Sequence, residues 1–161
     1  TNGVSKLVLK HIPSKKNIYG YRTGQKVRNV VLNDLLENKI NLSEITEKKS
    51  FTILDFWGTW CKPCVEEIPK LKNFYTTYSK DINMISIAYD KDVEKVKKFT
   101  VSNAMTWPQF FANRINIEGI INDLHIEEFP TLILLDANQK IIYRGSGSES
   151  LDDIKEILKM K

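Results

Sequence analysis

Cys61 and Cys64 are the only cysteines in this 161-residue chain, and Lys62-Pro63 separates them. Two thiols at this spacing form either a redox couple or half of a zinc site. In redox work the reactive species is the thiolate, so what matters is which sulfur ionises. Asp55 and Glu67 flank the pair in sequence, and each brings a carboxyl group suited to moving protons. A charge at position 55, amid Phe51, Ile53, Leu54, Phe56 and Trp57, is costly to bury. Burial raises a carboxyl's pKa and lets it take and return protons near neutrality. The plainer reading of Asp55 is a structural polar residue satisfied by backbone groups. Glu67 lies three residues past Cys64, on roughly the same face of a helix. It either shares the proton transfer, selects partners, or faces solvent as Glu66 does.

The elements around the pair are legible. Phe51 to Trp57 is a short apolar run of the kind found in a central strand buried on both faces. Gly58 and Thr59 break it. From Pro63 onward Val65, Ile68, Leu71, Tyr75 and Tyr78 recur three or four apart, which predicts an amphipathic helix. Pro63 suits its first turn, where the missing N–H costs nothing. Cys61 then sits at the helix N-terminus, beside unpaired N–H groups and the positive end of the dipole, both of which favour a thiolate. Cys64 lies one turn in and is expected to be the more buried. The predicted division of labour is attack by Cys61 and resolution by Cys64. Lys62 reads as a solvated loop residue, since an exposed lysine is heavily screened. Pro69 reads as a kink within the helix, and Trp57 as packing.

The rest of the chain supplies a sheet. Val30-Val-Leu32 and Ile40 to Leu42, either side of Glu37-Asn-Lys39, predict a hairpin, followed by a short turn or helical piece at Ser43-Glu-Ile45. Ile82 to Ala88 predicts a core strand. A helix begins at Asp92, with Val93, Val96 and Phe99 or Thr100 inward, and Trp107-Pro108 marks a loop. Ile117 to Leu124 predicts a short helix. A second hairpin runs from Thr131 to Asp136 and back over Ile141 to Arg144, ended by Gly145-Ser-Gly147. Ser150, with Asp153 three residues on, caps a last helix. Leu7-Val-Leu9 suggests an edge strand and Ile12 to Asn17 a loop. The order implies an α/β fold with a mixed sheet covered by helices.

The length and an apolar fraction of 42% suit one domain with a real core. No stretch of about 18 apolar residues predicts a membrane span. No secretory signal is visible at Thr1, and the start without Met suits a mature or trimmed piece. The net charge of +4 is spread over lysines and offset by 20 acids. Lys15-Lys16, Lys48-Lys49 and Lys97-Lys98 read as solvated faces, and nothing resembles a nucleic-acid motif. Two cysteines do not define a redox compartment.

Asp55-Phe-Trp-Gly-Thr-Trp-Cys-Lys-Pro-Cys64, together with Phe129-Pro130-Thr131, resembles the thioredoxin superfamily. More narrowly the chain is similar to the thiol-disulfide oxidoreductases of bacterial cell envelopes, the TlpA/ResA type. Glu67 two residues before Pro69, the segment Gly24 to Asp34 and Trp107-Pro-Gln109 point to that branch. The resemblance covers about residues 24 to 160. It implies a thioredoxin-like fold with an N-terminal β-hairpin extension, divided into an extension over residues 1–26 and a thioredoxin-like domain over 27–161. It also implies a cycle between dithiol and disulfide at Cys61 and Cys64, with no cofactor and no metal. Asp55 matches the superfamily's buried acid, Trp60 a platform for partners, and Pro130 a cis proline facing the cysteines. The Phe129 backbone would pair with a client's extended chain. Partners are then protein disulfide or dithiol clients and a thiol electron donor. The place of work is the periplasm or another envelope compartment, with a membrane tether outside this stretch compatible. Two departures stand out. Arg28 replaces a common proline, and Lys62-Pro63 replaces thioredoxin's Gly-Pro, so its reduction potential does not carry over.

Three other readings compete. Cys61, Cys64 and His125 are a chemically credible copper set for a metallochaperone-type module. Pro63 and the strand context favour exchange, and structural zinc would need four ligands. A peroxidase on the same scaffold needs threonine or serine where Gly58 stands. A non-catalytic adaptor would not need both thiols and Pro130. His11 and His125 otherwise read as surface or packing residues.

Overall fold

The computed structural model describes residues 21–115 and 119–161. Leu7-Val-Leu9, His11, the Ile12–Asn17 loop and the first residues of the Ile117–Leu124 helix therefore fall wholly or partly outside the described residues. Seven strands form one sheet: β1 (Val31–Asp34), β2 (Lys39–Asn41), β3 (Phe51–Trp57), β4 (Asn83–Asp90), β5 (Gln109–Asn113), β6 (Thr131–Asp136) and β7 (Ile141–Ser146). Their spatial order is β2-β1-β5-β4-β3-β6-β7. β3, β4 and β5 run parallel, while β6, β7, β1 and β2 are added antiparallel to their neighbours. The helices are α1 (Leu42–Thr46), α2 (Lys62–Tyr78), α3 (Val93–Ser102), α4 (Ile120–Asp123) and α5 (Ser150–Lys159).

The central strands are apolar throughout because both faces are covered. Ile53, Trp57, Met84, Ala88, Leu132 and Leu134 face a core closed by Ile68, Leu71 and Phe74 of α2, Val96 of α3 and Leu151, Ile154 and Ile157 of α5. Leu54, Phe56, Ile85, Ile87, Ile133 and Leu135 face the other, closed by Leu42 and Ile45 of α1 and Ile120, Ile121 and Leu124 of α4. Among the described residues no helix is long and apolar enough to cross a membrane.

The hairpin of β1 and β2 forms around Asp34, whose Oδ1 accepts from the N–H groups of Leu36 and Asn38, with Glu37 at φ 66°. It joins the main sheet through β5, a strand the sequence analysis does not contain. Pro108 breaks the pattern just before it, and Gln109 and Asn113 make its ends polar. Only pairing between β4 and β1 makes those five residues a strand.

The buried stripe of α2 is Cys64, Glu67, Ile68, Leu71 and Phe74. Val65, Tyr75 and Tyr78, expected at its centre, lie half-buried on its flank. This small rotation brings Glu67 inside. The expected cap of the last helix is also corrected. Ser150 is the first helical residue, Glu149 precedes it, and no side chain caps the end. Ser150 is buried, and its hydroxyl bonds with Tyr143 instead. Asp153 accepts from the Tyr143 hydroxyl at 2.8 Å. β7 runs on through Ser146, with Gly145 inside it, and the chain turns at Gly147, φ 85°.

Candidate active site

β3 ends at Trp57, and the loop Gly58-Thr-Trp60 carries the chain to Cys61, the N-cap of α2. This loop is tightly held. Asp90, at the end of neighbouring β4, accepts from both the N–H (2.9 Å) and the hydroxyl (2.8 Å) of Thr59 through Oδ2. A Cβ on residue 58 would run into the Trp60 indole, so glycine is required there by close approach. Because Asp90 is buried and the Thr59 donors half-buried, Asp90→Ala should cost about 1.5–3 kcal/mol, the usual loss when hydrogen bonds to a carboxylate are removed. Urea midpoints of the oxidised proteins check this; a change within the scatter of a surface substitution would mean that the loop holds itself.

Cys61 and Cys64 form a disulfide, with Cα atoms 5.3 Å apart. Cys61 Sγ accepts from the Cys64 N–H at 3.3 Å, the capping interaction that stabilises negative charge on a sulfur at a helix start. The first turn of α2 contains no acid to oppose that charge. Lys62 is a solvated residue, loosely paired with Glu66 at 3.8 Å. The expected difference in burial between the cysteines is not seen. Cys61 is 4% exposed and Cys64 3%, because in the disulfide each sulfur shields the other. Their asymmetry lies in position on the helix.

Two carboxyl groups flanking the pair in sequence are buried. Asp55 shares the sheet face of Ile53 and Trp57, towards α2. Its Oδ2 accepts from the Ser86 hydroxyl at 2.5 Å, and its Oδ1 has no partner. Burial pushes Asp55 up to about 7; the Ser86 bond works downward, and the charge of Glu67 works upward. Glu67 is 4% exposed, and neither of its carboxyl oxygens has a hydrogen-bond partner. Burial raises it too, with Lys70 opposing and Asp152 adding to the rise. Its solvent-facing alternative is thus excluded, as is the backbone-satisfied alternative for Asp55. Three unpartnered buried carboxyl oxygens are free to accept protons.

The surface beside Cys61 is aromatic. Trp60, 42% exposed, donates its indole N–H to the Tyr89 carbonyl at 2.8 Å. Phe129 packs edge-on against Trp60 at 5.2 Å and stacks on Tyr89 at 5.4 Å. The Arg114 guanidinium lies 4.2 Å over the Trp60 ring. The Phe129–Pro130 peptide is cis, as expected, and leads directly into β6. Trp57 is buried and donates to Gln109 Oε1 at 3.2 Å.

The structure therefore gathers Cys61, Cys64, Asp55, Glu67, Trp60, Phe129 and Pro130 at the carboxyl end of β3 and the start of β6. It does not gather His125 with the thiols. His125 stacks on Tyr21 at 4.3 Å and lines a polar cleft of about 360 Å³ with Glu127, Glu128 and Arg144. Among the described residues no three histidine, cysteine or acidic side chains are placed to hold a metal ion, so the copper reading loses its third ligand. Sequence reasoning missed Ser86, Tyr89, Asp90, Trp107 and Arg114. Ser86 and Asp90 were findable as polar residues at the centre and end of an apolar strand; the others carry no such signal.

Comparison with known proteins agrees with the geometry. The Thioredoxin-like family profile matches residues 49–141. Thiol-disulfide oxidoreductase ResA of Bacillus thuringiensis subsp. konkukian is 33% identical over 138 residues, covering 84% of this chain and 76% of that protein. Thioredoxin-like protein YneN of Bacillus subtilis is 31% identical over 123 residues, covering 76% and 70%. The fold is shared with the thioredoxin domain of a thiol-disulfide oxidoreductase from Bacteroides vulgatus, with a TM-score of 0.73, 22% identity, and coverage of 86% and 96%. A sulfur-capped helix after a central strand, a cis proline opening the neighbouring strand and these relatives lead to one conclusion: the chain belongs to the thioredoxin-like family, in its ResA-type branch of thiol-disulfide oxidoreductases.

Proposed function

We propose that this protein reduces disulfides of protein clients in a cell-envelope compartment, with Cys61 as nucleophile and Cys64 as resolving thiol. The observation that carries this reading is the seat of Cys61 as N-cap of α2, with the Cys64 N–H directed at its sulfur. In the dithiol form the Cys61 thiolate attacks one sulfur of a client disulfide. An S–S bond forms between Cys61 and the client, and the client's other sulfur leaves as a thiolate that takes a proton. Cys64 then gives its proton to a buried carboxylate, with Asp55 and Glu67 as the acceptors, and attacks Cys61 Sγ. The Cys61–Cys64 disulfide forms and the second client sulfur leaves reduced. The client has gained two electrons, and a dithiol donor returns the enzyme to its starting state.

Trp60 and Phe129 supply the platform on which a client segment lies, and the Phe129 backbone its extended pairing. The envelope assignment rests on similarity to the ResA-type relatives.

Cys64→Ser leaves the first attack intact and removes the second. Incubated with a disulfide-containing protein, it should accumulate a stoichiometric mixed disulfide through Cys61, visible on non-reducing gels, where the unaltered protein shows only a trace. Equal capture by the two would remove the resolving role from Cys64.

A further inference from the structure

Asp55 does not sit in the core alone. Its register partner across β3 and β4 is Ser86, whose hydroxyl is fully buried and donates to Asp55 Oδ2 at 2.5 Å. The Ser86 oxygen in turn receives the Trp107 indole N–H at 2.7 Å. An indole nitrogen donates only, and a hydroxyl has one proton. With the indole occupying an acceptor site of Oγ, the hydroxyl proton is left for the carboxyl group. With Asp55 ionised, the chain of bonds has one direction, from Trp107 through Ser86 to Asp55. Trp107 is placed for this by its neighbour, because the Ser86 N–H donates to the Pro108 carbonyl at 3.0 Å. We propose that Ser86, aimed by Trp107, is a positioning residue for thiol exchange, holding Asp55 oriented and biased towards the carboxylate that accepts the resolving thiol's proton.

The proposal rests on the reading of Asp55 as a proton acceptor. A neutral core polar pair needs no fixed direction, but a base does. A hydrogen bond donated to the ionised form favours that form, and among the described residues the Ser86 bond is the one the Asp55 carboxyl accepts. The other groups around Asp55 are few. From α2 come Glu67, whose charge disfavours ionisation, and the Cys61–Cys64 pair, uncharged while oxidised. From β6 the register partner is Leu132, which is apolar. Lys70 and Asp152 act on Glu67.

The test is Ser86→Ala in the full chain. In the oxidised protein the Asp55 carboxyl, followed by carbon-13 NMR over pH, should titrate about one unit higher than in the parent, roughly a tenfold gain in proton affinity. In the reduced protein the pH profile of single-turnover reaction with a protein disulfide should move the same way. Trp107→Phe, which removes the N–H and keeps a ring, should give a smaller shift in the same sense. Thermal melts establish that each variant is folded. A midpoint unchanged or lowered in Ser86→Ala overturns the proposal, and so does a raised midpoint that the pH profile does not follow. Asp55→Asn separates the two levels. If it leaves the pH profile untouched, the proton role of Asp55 itself is lost, whatever Ser86 does to its titration.

Discussion

Asp55→Asn should make the oxidised protein more stable at pH 8 than the parent while slowing its exchange chemistry. The carboxyl titrates near 7 in the fold against an ordinary value of 3.8, and burial is the main cause. A raised carboxyl means that the folded state holds its proton over a range in which the unfolded chain has lost it. Stability from this group is fully present below about pH 4 and falls as pH rises through about 7. The shift corresponds to about 4 kcal/mol over that window. Asparagine removes this dependence and keeps an oxygen for Ser86, but it buries an amide that costs about 1–3 kcal/mol. The net gain at pH 8 should be about 1–3 kcal/mol, vanishing or reversing at pH 4. Urea midpoints across that range read it directly. Parallel curves for the two proteins would show that the Asp55 carboxyl ionises in the fold as it does in the unfolded chain. In the same variant, exchange should slow more near neutrality than at high pH, where the resolving thiol ionises without help.

Cys61→Ala should abolish turnover, with a loss of at least about a thousandfold in disulfide reduction, since the attacking thiolate has no substitute at the helix start. Cys64→Ala should instead retain the first attack and stall. The fold should survive both. The disulfide closes a loop of only four residues, and short loops contribute least to stability by chain entropy. Circular dichroism confirms the fold, and a fluorogenic protein disulfide reports activity. A loss of only tenfold in Cys61→Ala would place the nucleophile elsewhere. Equal loss of the single first attack in both variants would mean that the two sulfurs are not distinguished by position.

Local patterns carried much of the architecture. β3 and β6 have the bounds their apolar runs predict, and α2 starts where Pro63 places it. Those elements are specified by composition and spacing over a few residues. β5 is different. Its five residues are a strand because β4 and β1 offer hydrogen-bond partners on both sides, a fact contained in no window of the sequence. Ser150 follows the same logic: its pattern suits an N-cap, but Tyr143, brought near by the β6–β7 hairpin, takes the hydroxyl instead.

At the site itself the two cysteines, the proline between them and the helix start were determined by the sequence, because a CxxC pair after an apolar strand has few other physical outcomes. The acidic residue in mid-strand announced itself too, since charge amid bulky apolar neighbours must be buried. What only the tertiary structure decided is which groups act on those residues. Glu67 is inside because α2 rolls slightly on the sheet. Ser86 and Trp107 reach Asp55 from positions 31 and 52 residues away in the chain. Hydrogen bonds of this kind depend on register between strands, and register is a property of the whole sheet, where every strand's two faces must be buried at once.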